Sequence, residues 1–456
     1  MHEQAGLLFS TCSNSTCSNS PSSHSPPASP AMITRIPLRL AMLAPILCTL
    51  LFSALLAAGG DVHAGKPVEF TVRMLALDAN EGIAAGDVDG DGVTDLVAGR
   101  QWFKGGDWAA RPLRNIDDWN GYVQSNGDYL FDVNGDGRLD VIAGSFLPTE
   151  VYWYENPGEE ALRLGKQWPA HLLKDTKKSQ NEGQLFEDLD GDGRPEWIVN
   201  SWKKDCPMMV YRLLDRTGNS EPASETTQAT GKPGGAKKAA AKPENSAKYS
   251  LVGHTLGESA NGHGVAVGDL NGDGKTDVLV GQGWYEQPQS DPWGQPWIFH
   301  ADWDLHSSLP MIVTDLDQDG DSDLIIGKGH DYGLSWWEQT EPDKETGKLS
   351  FEIHEIDSSF SQPHSLAWVD LDGDGNKDLI TGKRYYAHNS RDPGGNEPPC
   401  LYYYTWDQAS KSFQRHTIDE GHVGCGLQIV AEDLNGDSKV DIAVAGKSGT
   451  YLLLAQ

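Results

Sequence analysis

Basic residues are scarce in this chain: lysine and arginine number 36 against 66 aspartates and glutamates, a net charge of −30. Such a balance argues against nucleic acid as a partner. Cysteine is equally sparse. Of six in 456 residues, only Cys206, Cys400 and Cys425 lie beyond residue 64. An odd number leaves one thiol unpaired and excludes a disulfide framework; Cys400 with Cys425 is the pairing an oxidising compartment would permit. No glycine-rich phosphate loop is present, nor any signature for Ser/His/Asp or thiol catalysis. Long apolar runs are confined to residues 40–58. That run follows Met32, Arg35 and Arg39 and precedes Val62-x-Ala64, so 32–64 reads as a secretory signal peptide directing a secreted or periplasmic protein. Retention of 40–58 as a membrane anchor is the alternative. Residues 1–31 are low-complexity and read as untranslated, with Met32 as the start. Residues 216–247 are a polar insertion in which no core could form, and disorder is expected there.

What the chain has in abundance is one acidic unit. "DVDGDGVTDLVAG" begins at Asp87, "DVNGDGRLDVIAG" at Asp132, "DLDGDGRPEWIVN" at Asp188 and "DLNGDGKTDVLVG" at Asp269. "DLDQDGDSDLIIG" begins at Asp315, "DLDGDGNKDLITG" at Asp370 and "DLNGDSKVDIAVAG" at Asp433. Over a third of the acids stand in these loops. Carboxylates at alternate positions repel unless a cation lies among them, and a hard cation such as Ca2+ wants six to eight oxygens on a curled loop. The metal-ligand candidates are therefore Asp87, Asp89, Asp91 and Asp95; Asp132, Asn134, Asp136 and Asp140; Asp188, Asp190, Asp192 and Glu196. They continue with Asp269, Asn271, Asp273 and Asp277; Asp315, Asp317, Asp319 and Asp323; Asp370, Asp372, Asp374 and Asp378; and Asp433, Asn435, Asp437 and Asp441. The flanks are short and β-branched, so each loop joins two strands rather than two helices.

Upstream of the loops lie segments such as "WPAHLL" (168–173) and "FEIHEI" (351–356), and downstream come aromatic strands such as "VYWYEN" (151–156) and "LSWWEQ" (334–339). Each unit thus holds four strands: A before the loop, B after it, aromatic C, and D. Seven such units predict an all-β, seven-bladed propeller over 65–456 with the loops between strands A and B. The last unit lacks a strand D, which "VEFTVRML" (68–75) would supply, closing the ring. These repeats resemble the FG-GAP/VCBS family of calcium-loop propellers. The resemblance implies structural Ca2+ between strands A and B on one face of the disc. Ser438 replaces a loop glycine, which weakens the seventh site.

The histidines divide into two sets. His171, His254, His300, His354 and His416 recur at one place in strand D and read as structural. His263, His306, His330, His364, His388 and His422 are irregular, and all fall in D–A or B–C connections, on the face opposite the loops. Six residues before each first loop Asp stand Glu81, Asn126, Glu182, His263, Leu309, His364 and Leu427, placed to ring the channel mouth. The B–C connections add Arg100, Lys328, Lys383, Arg384 and Lys447, and residues 383–399 are long enough to fold over the mouth. A ring of His, Glu and Lys suits one Zn2+ or similar divalent ion, or acid–base chemistry.

"NGHG" (261–264), "HSSLP" (306–310), "GHDYGLSWWEQ" (329–339), "SQPHSL" (361–366), "TGKRYYAHN" (381–389) and "AGKSG" (445–449) are similar to the propeller domain of aldos-2-ulose dehydratases. That resemblance implies a metal-dependent sugar-dehydration site with His263, His306 and His364 as candidate ligands. Glu182 is a ligand or base, and Lys383, His388 and His330 complete the catalytic candidates. The expected partner is a carbohydrate or carbohydrate-derived small molecule. A non-catalytic module binding a glycan or a protein is the alternative, since fold alone does not license chemistry.

Overall fold

A computed structural model of the chain describes residues 67–203, 206–216, 247–258, 264–305 and 310–456. The segments read as a low-complexity stretch (1–31) and a signal peptide (32–64), with nearly all of the polar insertion, lie outside the described residues. So do two candidate site residues, His263 and His306. Among the described residues no helix is long and apolar enough to cross a membrane.

Seven antiparallel four-stranded sheets account for almost all of the regular structure. Blade 1 consists of Ala84–Gly86, Asp95–Ala98, Gln101–Phe103 and Ala110–Pro112, and blade 2 of Gly127–Phe131, Asp140–Gly144, Glu150–Tyr154 and Ala170–Asp175. Blade 3 is built from Asn181–Glu187, Glu196–Ser201, Met208–Asp215 and Tyr249–Gly257; blade 4 from Val265–Gly268, Asp277–Val280, Gly283–Glu286 and Ile298–His300. Blade 5 holds Met311–Thr314, Asp323–Gly327, Tyr332–Thr340 and Ser350–Ser361. Blade 6 holds Pro363–Val369, Asp378–Lys383, Cys400–Asp407 and Ser412–Glu420. Blade 7 takes its first three strands from Ile429–Glu432, Asp441–Gly446 and Gly449–Ala455, and its fourth is Phe70–Ala76, with Phe70 opposite Ala455. A short hairpin, Asp118–Trp119 with Tyr122–Val123, lies between blades 1 and 2.

The sequence pattern explains the packing. Strand B is buried on both faces in every blade, Ala143 of blade 2 alone being half-buried, as its continuous apolar runs require. Core clusters form between blades rather than within them: Val88, Val97 and Trp102 of blade 1 pack with Val141 and Trp168 of blade 2. Ile198 and Val210 of blade 3 pack likewise with Val278 and Tyr285 of blade 4. The repeated strand-D histidine belongs to this scaffold. His171, His300, His354 and His416 stack on Trp153, Trp284, Trp336 and Tyr403 at 4.7, 4.2, 4.4 and 4.6 Å. The first three also reach Glu155, Glu286 and Glu338 of their own blades, at 2.7–2.8 Å.

Each A–B loop curls around its first aspartate. Asp87 accepts hydrogen bonds from the N–H groups of Gly90, Asp91 and Gly92, and Asp433 does the same for Gly436, Asp437 and Ser438. The sixth position is left-handed: Gly92 has φ 86°, and Ser438, in the same place, φ 70°. A side chain there costs about 1–2 kcal/mol, and glycine returns part of that as unfolded-chain entropy. Ser438→Gly should therefore raise stability by about 0.5–1 kcal/mol, read as a higher urea midpoint at unchanged slope.

Candidate functional site

The axial cavity, about 460 Å3, is lined by strand A of all seven blades, among them Ala85, Leu130, Leu185, Val265, Met311, Leu366 and Ile429. Where these strands begin, the chain has built a buried ionic plug. Arg384, from the B–C connection of blade 6, donates Nε and Nη2 to Glu81 at 2.6 and 2.7 Å. Its Nη1 lies 2.7 Å from Glu182 Oε1 and 2.9 Å from His364 Nε2. One guanidinium so joins blades 1, 3 and 6. Burial pushes the Glu81 carboxyl up, but Arg384 and then Lys447 outweigh it and hold it below the usual carboxylate range. The same pairing keeps Arg384 charged against its burial. Glu182 also accepts the indole N–H of Trp202 at 2.6 Å. Lys447 stands 4.5 Å over the Tyr122 ring, and burial pulls its ammonium below the ordinary lysine range.

Beside the plug, three of the irregular histidines meet. The His330 ring centroid lies 5.6 Å from that of His364, 4.3 Å from His388 and 5.6 Å from Trp202. Asp392 stands between two of them, its carboxylate oxygens 3.3 Å from His330 Nδ1 and 3.1 Å from His388 Nδ1. Ligand atoms of His330, His388 and Asp392 all lie within 4.8 Å of one another. Asp392 Oδ2 is buried and receives no well-directed hydrogen bond. Two imidazoles and an under-satisfied carboxylate oxygen fit a borderline divalent ion.

The turn that presents His388 is strained. Tyr386, His388, Asn389 and Ser390 all have positive φ, between 46° and 63°, each costing about 1–2 kcal/mol relative to a right-handed residue. The contacts that hold it are distributed. Asn389 bonds Asn120 beyond blade 1 at 3.1 Å, Gln362 donates to the Pro393 carbonyl, and Tyr332 donates to Glu397. The connection 383–399 thus closes over this part of the face. Below it opens a cavity of about 720 Å3 walled by His330, Asp392, Lys328, Asp331, Ser335 and Glu355, with Leu334 and Trp337 as its apolar side.

Of the catalytic candidates, the structure brings His330 and His388 together, with His364 next to them. It spends Glu182 and His364 on Arg384. Lys383 is 1 % exposed, and its ammonium is bonded to Ser361 and Gln362 below the face. His422 pairs with its own neighbour Asp419 at 3.2 Å. The expected Cys400–Cys425 disulfide is absent: both are free, buried thiols. Burial raises the Cys400 thiol to about 11 and Cys425 further. Sequence reasoning missed Asp392, Trp202 and the centrality of Arg384. It also missed the fully buried Arg114–Asp128 pair that ties blade 1 to blade 2.

The A–B loops offer an oxygen-only donor set suited to a hard cation. The ninth-position acid has a second task there. Asp95 accepts the N–H of Val88 and of Gly105; Asp140, Asp277 and Asp441 make the corresponding pairs. It staples the loop to the end of strand C.

A family model described as FG-GAP-like repeat matches residues 132–199 and 315–381, and one described as FG-GAP repeat matches 79–109 and 261–290. No curated protein matches the sequence. Among solved structures, the chain is similar to an Agrocybe aegerita lectin described as recognising non-reducing terminal N-acetylglucosamine. Identity there is 15%, coverage 83% of this chain and 85% of that one, and TM-score 0.42. The extracellular domain of BT4673 from B. thetaiotaomicron is 13% identical over 84% of this chain and 39% of that chain, with TM-score 0.45. The V. cholerae biofilm matrix protein Bap1 is 12% identical over 85% and 81%, with TM-score 0.33.

Proposed function

We propose that this chain, a seven-bladed β-propeller of FG-GAP repeats, is an exported, calcium-stabilised lyase of the dehydratase type acting on keto-sugar-type substrates. The observation that carries this reading is the convergence of His330, His388 and Asp392 beside a 720 Å3 cavity whose wall includes His330 and Asp392. These three residues would hold Zn2+ or a similar ion and leave coordination positions open. Such an ion, when bound, polarises a carbonyl oxygen as a Lewis acid. The remaining work belongs to the chain. Trp337 and Leu334 offer an apolar face to the sugar ring, and Asp331, Ser335 and Glu355 offer hydrogen bonds to hydroxyls. The proton next to the carbonyl passes to a base on the wall, for which Glu355 and Lys328 are the candidates. The C–H pair becomes the new C=C bond, and the β-hydroxyl leaves as water with the proton that the base has just taken up.

A second reading, a non-catalytic module for a glycan or protein, is favoured by one feature: Glu182 and His364 on the axis are engaged by Arg384. A panel of aldos-2-uloses, followed by the ultraviolet absorbance of the enone product, separates the two. Turnover that a chelator abolishes, and that falls about 100-fold or more in His330→Ala/His388→Ala, is expected. Saturable binding of the same sugars without turnover would establish the module instead. Neither binding nor turnover would reject the carbohydrate assignment.

A further inference from the structure

One position, late in strand C or just past its end, changes sign from blade to blade over blades 1 to 4. Register fixes its position: Phe103 is opposite Leu96, Tyr154 opposite Val141, Tyr211 opposite Trp197 and Tyr285 opposite Val278. The next residues are Lys104 in blade 1, Glu155 in blade 2, Arg212 in blade 3 and Glu286 in blade 4. The third loop position alternates with them: Asp89, Asn134, Asp190 and Asn271. In blades 1 to 4 a cation at this position thus accompanies an aspartate in the loop, and a glutamate accompanies an asparagine.

The contacts follow the pairing. Lys104 Nζ binds both Asp89 and Asp91, within the loop itself. Arg212 Nη2 lies 3.2 Å from Asp190, and its Nε is 3.9 Å from Glu196. Trp293 holds the same Asp190 oxygen at 2.6 Å and sits under the Arg212 guanidinium at 4.5 Å. In blade 2, by contrast, the third loop position meets a carboxylate, Glu155 accepting from Asn134 at 3.3 Å, while the loop's own Arg138 binds the fifth-position Asp136 on the exposed rim. Blade 5 breaks the pattern with Asp317 and Glu338, two acids. There Lys411 arrives from the C–D turn of blade 6 and binds them at 2.6 and 2.9 Å. Blades 6 and 7 carry the uncharged Thr405 and Leu454 at this position, after Tyr404 and Leu453.

An ammonium or guanidinium in contact with the ligand carboxylates occupies their lone pairs and repels a second cation at the same place. We infer that Lys104 and Arg212 are built-in cations that replace calcium in the loops of blades 1 and 3. The inference rests on the calcium reading of the remaining loops. It gives the blades two kinds of electrostatic closure, one permanent and one dependent on ambient calcium.

The test counts ions. The full chain is stripped with a chelator, saturated with CaCl2 and freed of excess salt, and calcium per chain is measured by mass spectrometry. Wild type should hold no more than five ions. Lys104→Met and Arg212→Met should each hold one more than wild type, and the double variant two more. The melting temperature of each variant should fall further on chelation than that of wild type. Lys104→Gln and Arg212→Gln repeat the count with polar side chains, should either methionine fold poorly. Seven ions in wild type, or unchanged counts in natively folded variants, would overturn the inference while leaving calcium in place. No calcium in any of the proteins would remove the calcium reading and this inference with it.

Discussion

Arg384→Met should destabilise the propeller by about 3–5 kcal/mol near neutral pH, the usual cost of leaving buried charges without their partner. Glu81 is fully buried, and Glu182 nearly so. Methionine matches the length of the arginine stem but leaves both carboxylates facing each other without a cation. The effect has a pH signature whose sign follows from linkage. In wild type Arg384 holds the Glu81 carboxyl below its unfolded value, so its contribution is present above the unfolded pKa and is lost as pH falls through the lower folded one. Without Arg384, burial prevails and the folded value rises above the unfolded one. The variant then carries a penalty at neutral pH that protonation relieves below it. The stability gap between the two proteins should shrink from pH 7.5 to pH 4.5, measured as urea midpoints. Adding Glu81→Gln and Glu182→Gln to Arg384→Met should recover most of the loss at pH 7.5. A constant gap across pH would mean that Arg384 acts through packing and not through charge.

That plug also marks where sequence reading stops. The blades were legible because their signals are local and repeated: a loop of fixed spacing, β-branched flanks, an aromatic strand. The strand-D histidines could be set aside because periodicity itself explains them. Glu81, Glu182 and His364 were placed together at the mouth because strand A has a fixed length before its loop. What no spacing conveys is which cation would cross the axis to meet them. Arg384 and Lys447 stand in B–C connections and Lys383 ends a strand B, yet one is clamped at the centre, one stacks on Tyr122 and one is buried against Ser361. Asp392 was missed for a related reason. It lies eight residues into an irregular connection, and only the left-handed turn at 386–390 brings it against His330 and His388. The ninth-position acids were read as ligands from their charge. Their backbone bonds depend on where strand C ends, which the loop sequence does not contain.

Those bonds set the second large expectation. Asp140→Ala should cost about 3–5 kcal/mol, because it orphans two buried donors at about 1–3 kcal/mol each. Val133 N donates to one carboxylate oxygen at 3.0 Å and Asn156 N to the other at 2.8 Å, and Asp140, Val133 and Asn156 are all completely buried. No water can replace the lost acceptor without entering the interface between blades 1 and 2, where Asn156 also donates to the Val88 carbonyl at 2.6 Å. The loss should be nearly the same in calcium and in chelator, since the staple is made of backbone bonds. Asp136→Ala, on the rim of the same loop, provides the contrast. Its acceptors serve Arg138 and the Asn134 amide, exposed pairings of little worth. Asp136→Ala should therefore cost less than about 1 kcal/mol in chelator and more only when calcium is present. Equilibrium urea unfolding of both variants, with and without calcium, separates the two functions of the loop. If Asp140→Ala were costly only in calcium, the ninth-position acid would be a ligand first and a staple second. If it is costly in both, the repeat keeps this acid as a fastener whether or not an ion is bound, which accounts for Asp95 in blade 1 beside Lys104.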